Sequence, residues 1–263
     1  MLPDYKIIQR AFPDRPDIEI RPVADVHLGA AEHNAEAWAA FRKSVLSKPN
    51  IYLLLVGDLL NFSTRNSIGS VFDETLRPRE QKKLMVEMLR PFAEEGRLIA
   101  ATTGNHELRG AKDADDDATY DILAKLDCED IYRENEAFIK LQFGDPNNNG
   151  ATNPTYILVM THGAGGGALT GGVVNRGERT AYYYEHVDAL IFAHAHKPFV
   201  TEPARISVDP HNNKVTVKPV KVVCCTSWLN YGGYAMRKML PPSSISPQTI
   251  KLYGKTKKIE VTM

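Results

Sequence analysis

Residues 51–58 read IYLLLVGD: six apolar residues in a row, a glycine, then an acidic side chain. The run has the length of a strand, and its lack of alternation fits one buried on both faces. Such strands belong to α/β proteins, where helices cover the sheet, so this stretch sets the fold class. It also puts Asp58 just past the carboxyl end of a strand, the edge at which α/β sheets bind ligands.

Outward from that run the same pattern recurs. Residues 18–23 form a strand candidate that leads into Asp25-Val26-His27, and 98–103 one that leads into Gly104-Asn105-His106-Glu107. Residues 35–46 and 79–92 have the apolar spacing of helices, the second stopping near Gly96, and 117–126 reads as a helix behind the acidic stretch DADDD. The second half is richer in strands, with candidates at 137–143, 156–160, 189–193, 200–208, 214–225 and 250–261. Two of them lead into His162-Gly163 and into His194-Ala195-His196. DPNNNGATNP (145–154) is a turn by composition with an exposed, mobile tip, and LPPSSISPQ (240–248) is a second irregular connection. With no internal repeat and no interdomain linker, residues 1–263 read as a single domain without a separate cap domain.

Composition narrows the classes. The chain has 263 residues, 43% hydrophobic and 24% charged, enough for a sizeable core. Lysine plus arginine equals aspartate plus glutamate at 32 each, so no global basic field attracts nucleic acid and any such site must be local. No apolar run approaches the roughly 20 residues that span a bilayer. The start, MLPDYKIIQR, lacks the apolar core of a signal peptide. Cys128, Cys224 and Cys225 form neither a disulfide framework nor a zinc spacing, so the thiols read as reduced and the protein as cytoplasmic. The adjacent pair Cys224-Cys225 reads as two buried strand residues.

Each polar motif alone is weak, since Asp-x-His, Gly-Asp and His-x-His all occur as turns or paired strand residues. Their joint order carries the signal: five of the eight histidines lie in these motifs, each beside a strand end. Carboxylate, imidazole and amide oxygen without thiolate suit divalent first-row metals such as manganese, iron or zinc. Seven groups (Asp25, His27, Asp58, Asn105, His162, His194 and His196) exceed what one ion usually takes from protein, and a shared carboxylate would let them hold two.

The blocks DVH, GD, GNHE, THG and AHAH, in that order from residue 18 to about residue 200, resemble those of the calcineurin-like metallophosphoesterase superfamily. The resemblance implies a four-layer α/β/β/α sandwich with two facing mixed sheets. It implies that Asp25, His27 and His196 hold one metal, that Asn105, His162 and His194 hold the other, and that Asp58 bridges them. It gives His106 the role of the histidine that contacts the phosphate and protonates the leaving oxygen, work suited to an imidazole of near-neutral pKa. Ala193 stands where the family usually has glycine, which is tolerable where backbone angles are ordinary, and Glu107 stands where aspartate is commoner.

The resemblance implies a metal-dependent phosphoesterase with two divalent ions, manganese foremost, iron or zinc as alternatives. The forms DVHLG and GDLLN are similar to those of bacterial diesterases and repair nucleases, which points to a phosphodiester in DNA, RNA or a nucleotide. A phosphomonoesterase, acting on small molecules or proteins, is the alternative, and a non-enzymatic binding scaffold ranks behind both because every site position is kept. A lipid substrate is a minor option, as no long basic amphipathic helix is present to dock a membrane.

Other features carry two readings each. GAGGGALTGG (163–172) lacks the Gly-Lys-Ser/Thr ending of a P-loop, leaving a flexible wall against the substrate or a loop without contact. Arg65 and Arg109 are candidates to bind a phosphate oxygen, with solvated or structural arginines as the plainer reading. The acidic run 113–117 reads as a solvated helix start rather than a third ion site. His33 follows the first block closely enough to neighbour the metals. Tyr182, Tyr183 and Tyr184 have the means to stack on bases, but packing is the commoner use.

Overall fold

The computed structural model describes residues 5–67, 71–145, 153–165, 167 and 169–263. In chain order its strands are β1 (Ile8–Phe12), β2 (Asp17–Val23), β3 (Ile51–Val56), β4 (Leu98–Thr102), β5 (Tyr132–Arg133), β6 (Glu136–Phe143) and β7 (Thr155–Thr161). They continue with β8 (Ala189–Phe192), β9 (Phe199–Thr201), β10 (Ala204–Asp209), β11 (Lys214–Pro219), β12 (Lys221–Cys224), β13 (Thr249–Tyr253) and β14 (Ile259–Thr262). The α-helices are α1 (Ala35–Leu46), α2 (Pro78–Glu94), α3 (Glu107–Ala114), α4 (Ala118–Ala124), α5 (Thr170–Ala181) and α6 (Gly233–Arg237).

Two six-stranded sheets form, in the orders β14-β13-β2-β3-β4-β5 and β1-β6-β7-β8-β12-β9. Both are mixed. In the first, β2 through β5 run parallel and β13 and β14 are antiparallel additions. In the second, β7, β8 and β12 run parallel between antiparallel neighbours.

β3 explains why its sequence does not alternate. Leu54 and Val56 join Ile20 of the same sheet and Ile139, Leu158, Ile191 and Val223 of the other in the core between the sheets. Leu53 and Leu55 point the opposite way, onto Trp38 of α1, Met85 and Leu89 of α2 and Ile122 of α4. On the far side, Val159, Leu190 and Val222 of the second sheet pack on Val173 and Ala181 of α5. The layers are therefore α/β/β/α, each sheet buried on both faces.

Three of the expected strands each prove to be two. Residues 200–208 break at Glu202-Pro203, because proline has no N–H for the ladder. Residues 214–225 break at Pro219-Val220 for the same reason, and β10 and β11 leave the sheet as a separate antiparallel ribbon. Residues 250–261 fold back at 254–258, so β13 and β14 pair with each other. Helices α3, α5 and α6 and strands β1 and β5 are additions to the expected elements. In α5 three glycines depress the helical signal. One of them, Gly177, is required, since a Cβ there would come 2.7 Å from the Phe192 ring. The helix also takes up the end of GAGGGALTGG, from Thr170 onward. Of the turn read at 145–154, residues 146–152 lie outside the described residues. Among the described residues no helix is long and apolar enough to cross a membrane.

Candidate metal centre

The carboxyl ends of β2, β3, β4, β7 and β8 meet at one edge, and backbone hydrogen bonds continue past the strands to fix them. Asp25 N–H donates to Gly57 O at 3.1 Å and His27 N–H to Asp58 O at 3.0 Å, carrying the β2–β3 ladder into the loops. Across the sheets, His194 N–H donates to Asp25 Oδ2 at 3.1 Å, and His162 Nδ1 lies 2.7 Å from Val56 O. Asp25, His27, Asp58, His194 and His196 all have positive φ, between 47° and 68°. Left-handed backbone costs of order 1–3 kcal/mol at a non-glycine residue and persists only where the surroundings over-determine it. Ala193 is not among the positive-φ residues, so its methyl group costs no backbone strain.

This bending points the side chains at one another. In each of three groups, Asp25-His27-His196, His27-Asp58-His106 and Asp58-His162-His194, one ligand atom per residue lies within 4.8 Å of the others. Asp58 Oδ2 sits centrally, 3.2 Å from His162 Nε2, 3.8 Å from His106 Nε2 and 3.9 Å from His27 Nε2. His27 Nε2 faces His196 Nε2 at 3.1 Å. Asn105 Oδ1 completes the far side, 2.6 Å from His194 Nδ1 and 3.1 Å from His162 Nε2. All seven groups singled out in the sequence are thus gathered in one cluster, with His106 at its rim.

The donor set fits divalent cations. A backbone carbonyl only accepts, so His162 Nδ1 carries the hydrogen it gives to Val56 O, and in the neutral ring Nε2 keeps its lone pair toward the cluster. Asp25 Oδ1 and His27 Nδ1 are buried without a hydrogen-bond partner, although Asp25 Oδ1 lies 3.3 Å from His196 Nε2. A buried carboxylate oxygen left without a directed donor is costly unless a cation meets it. Burial opposes the charge of Asp58, but the His162 and His106 imidazoles outweigh it and hold the carboxyl well below its ordinary value. Burial also opposes protonation of His162, and there the Asp58 carboxylate wins, pushing the ring up to about 10. His27 is depressed, by burial first and by His106 second.

Glu107 sits behind the cluster in a structural role that sequence reading missed. Its Oε2 accepts Asp58 N–H at 3.0 Å and Gly104 N–H at 3.1 Å, and its Oε1 accepts Leu60 N–H at 2.8 Å. Burial, reinforced by Asp58, pushes its carboxyl up to about 7. His106 Nδ1 donates to Asn61 O at 2.7 Å, so Nε2 faces the site. Arg109 Nη1 donates to the same carbonyl at 3.1 Å and stands on the same wall. Arg65 lies exposed on the loop after the second block, outside the cluster. His33 is tied to the first block through Nδ1 and Val26 O at 2.8 Å but is not in the ligand groups. Asp117 caps α4 through Tyr120 N–H, the structural use expected of the acidic run. Tyr182 and Tyr183 are exposed, while Tyr184 donates to Glu136 at 2.9 Å. Cys224 and Cys225 are buried at the end of β12.

The family profile described as calcineurin-like phosphoesterase matches residues 22–198. Among solved structures, the chain is similar to a conserved uncharacterized protein of Streptococcus pneumoniae, a predicted phosphoesterase. The two share 10% identity over 93% of this chain and 88% of that one, with a TM-score of 0.37. No curated protein matches the chain.

Proposed function

The chain belongs to the calcineurin-like phosphoesterase family and is a metal-dependent phosphoesterase, and on that premise we propose that it hydrolyses a phosphodiester, in a nucleic acid or a nucleotide. What supports the diester is a cleft whose lining includes Lys197, the residue that follows His196 in the chain. It has a volume of about 310 Å³ and is lined by Leu169, Thr170, Lys197, Pro198, Pro241, Pro242, Ser243 and Ser244. Prolines and leucine beside one cation and three hydroxyls suit an organic group that carries sugar or phosphate oxygens. A diester has a second esterified group to put there, and a monoester does not. The forms DVHLG and GDLLN agree with this reading.

In this reading Asp25, His27 and His196 would hold one ion, Asn105, His162 and His194 the other, and Asp58 would be shared between them, with manganese the leading ion and iron or zinc the alternatives. Bound divalent ions supply Lewis acidity at the phosphoryl group and lower the pKa of water. The residues do the rest. His106, anchored through Nδ1–H, presents Nε2 to the leaving oxygen; as the imidazolium it delivers the Nε2 proton there and is left as the neutral Nδ1–H ring. Arg109 brings a guanidinium to the same wall, where it pairs with a phosphate oxygen. Arg65, exposed on the loop 63–67, is the second cation we assign to the substrate. The chain acts as a single domain without a cap, and its three free thiols suit a reducing, cytoplasmic setting.

The test is hydrolysis of bis(p-nitrophenyl) phosphate, p-nitrophenyl phosphate, DNA and RNA by purified protein loaded with manganese. Preference for the diesters is the expected result. Activity confined to the monoester would overturn the diester reading and make the protein a phosphomonoesterase. Full activity in His106→Ala would remove His106 as the acid.

A further inference from the structure

The peptide joining Asn61 to Phe62 is gripped from both ends. Its carbonyl accepts His106 Nδ1–H at 2.7 Å, and its N–H, pointing the other way, donates to Gln81 Oε1 at 2.9 Å. Gln81 lies on α2, fully buried, and its Nε2 donates to Leu76 O at 2.8 Å and to Glu74 Oε2. The other oxygen of Glu74 accepts Asn61 Nδ2 at 2.8 Å and Ser63 N–H at 2.9 Å. Between these anchors Phe62 adopts φ 45°, a conformation that a bulky side chain rarely takes.

Strain of this kind survives only where neighbours impose it. Here the imposing groups are Glu74 and Gln81, which grip the peptide N–H groups of Phe62 and Ser63. The same pair reaches the first block. Thr75 N–H donates to Gly29 O at 2.8 Å, and a Cβ on Gly29, at φ 102°, would run into the Gln81 side chain. The unit therefore connects the loops after β2 and β3 to the histidine at the start of α3.

We propose that Glu74 and Gln81 are positioning residues for His106: they hold the 61–62 peptide so that its carbonyl keeps a hydrogen on Nδ1 and leaves Nε2, the nitrogen that takes up and passes on the proton, aimed at the substrate. A carbonyl with two donors, His106 and Arg109, has no spare direction. A rotated peptide would release both at once. The polarity of the grip matters. Glu74 offers only acceptors, while Gln81 accepts from Phe62 and donates to Glu74. Glu74→Gln sets an amide NH2 against the Gln81 NH2, and Gln81→Glu sets two carboxylates against each other. The exchange Glu74→Gln with Gln81→Glu restores a donor facing an acceptor and gives up only the bond to Leu76 O.

The inference rests on His106 as the acid, so it is tested on two independent readouts. One is kcat and KM on bis(p-nitrophenyl) phosphate with bound metal quantified. The other is the ring-nitrogen NMR shifts of His106 in ¹⁵N-histidine-labelled protein, which report the tautomer without turnover. Each single variant is expected to lose roughly tenfold or more in kcat, as small misplacements of a reacting group do. KM and metal content should hold within about twofold, and His106 should lose its fixed Nδ1–H form. The exchange should recover most of kcat and the parental shifts. An exchange no better than the singles, or singles whose loss falls on KM or metal content with the His106 tautomer unchanged, would overturn it. If one single variant does not fold, the other and the exchange make the same comparison. Full turnover in His106→Ala would remove the acid assignment alone, while the NMR shifts still decide the positioning claim.

Discussion

The carboxylate of Glu107 accepts the backbone N–H of Asp58 across 49 residues of chain, at 3.0 Å. It also takes the N–H groups of Gly104 and Leu60, so the loops after β3 and β4 behave as one piece. Glu107→Gln keeps the shape but turns an NH2 toward at least one of these donors. An unmet buried donor costs about 1–3 kcal/mol. We expect the melting temperature to fall by roughly 2–4 °C per kcal/mol lost, and kcat to fall with it because Asp58 shifts. Differential scanning calorimetry and turnover on one preparation check both.

Among the described residues, Asp58 is the carboxylate that falls both in a group with His27 and in one with His162 and His194. Asp58→Asn removes the charge and keeps the bond from His106 N–H to Oδ1, which is 2.8 Å. Both ions should weaken together, by more than the roughly 10–100-fold typical of outer-shell changes. Metal analysis by mass spectrometry reads this directly. One full equivalent retained after dialysis would contradict the bridging role.

Gly104 shows how little room the cluster leaves. A Cβ there would run into the Asp58 backbone nitrogen and carboxylate. Gly104→Ala should therefore move Asp58, at an overpacking cost of about 1–3 kcal/mol. We expect lower metal affinity in addition to a lower melting temperature. Unchanged manganese binding by calorimetry would show that the loop yields without disturbing the ligand.

The candidate ligands were legible because they sit at strand ends: a run such as 51–56 announces its end, and the polar residues follow within two or three positions. What holds them was not. Gln81 reads as an ordinary polar residue of an amphipathic helix, and only the folded chain brings it to Phe62, 19 residues away. Glu107 was visible as part of GNHE, but a carboxylate that receives three backbone donors looks, in sequence, like one that binds a ligand. The ribbon of β10 and β11 was hidden because proline breaks were read through, and α5 because three glycines lower its helix propensity, Gly177 among them serving close packing.

The thiols give a pH-dependent prediction. Burial pushes Cys224 and Cys225 upward, and burial with Asp130 and Asp127 does the same to Cys128. A thiol whose folded pKa is raised contributes stability that is fully present below its unfolded value, about 8.5, and is lost as pH rises above it. The melting temperature should stay level from about pH 7 to 8 and decline above about 9. Iodoacetamide should label Cys128, the partly exposed one, slowly and spare the buried pair until the protein unfolds. Peptide mass spectrometry of native and denatured samples checks this. Rapid native labelling of Cys224 or Cys225 would contradict it.

Tyr156 separates stability from chemistry. It lies on β7, fully buried, at the end of the strand opposite His162. Its hydroxyl accepts Lys258 N–H at 2.9 Å and has the carbonyls of Tyr253 and Lys258 at 2.7 and 2.9 Å. One hydrogen serves one carbonyl at a time, so the phenol organises the 254–258 turn that lets β13 and β14 pair. Tyr156→Phe leaves the Lys258 N–H and a carbonyl unmet, at a cost of about 1–3 kcal/mol. Six residues of strand, at about 3.3 Å each, put the hydroxyl roughly 20 Å from the metal ligands. The melting temperature should therefore fall while kcat, KM and metal content stay at parental values. Glu107→Gln, by contrast, should lower stability and turnover together, because its hydrogen bonds end on the loops that carry the ligands. A Tyr156→Phe protein with impaired turnover at a temperature where it remains folded would mean that the sheets transmit strain along β7 to His162.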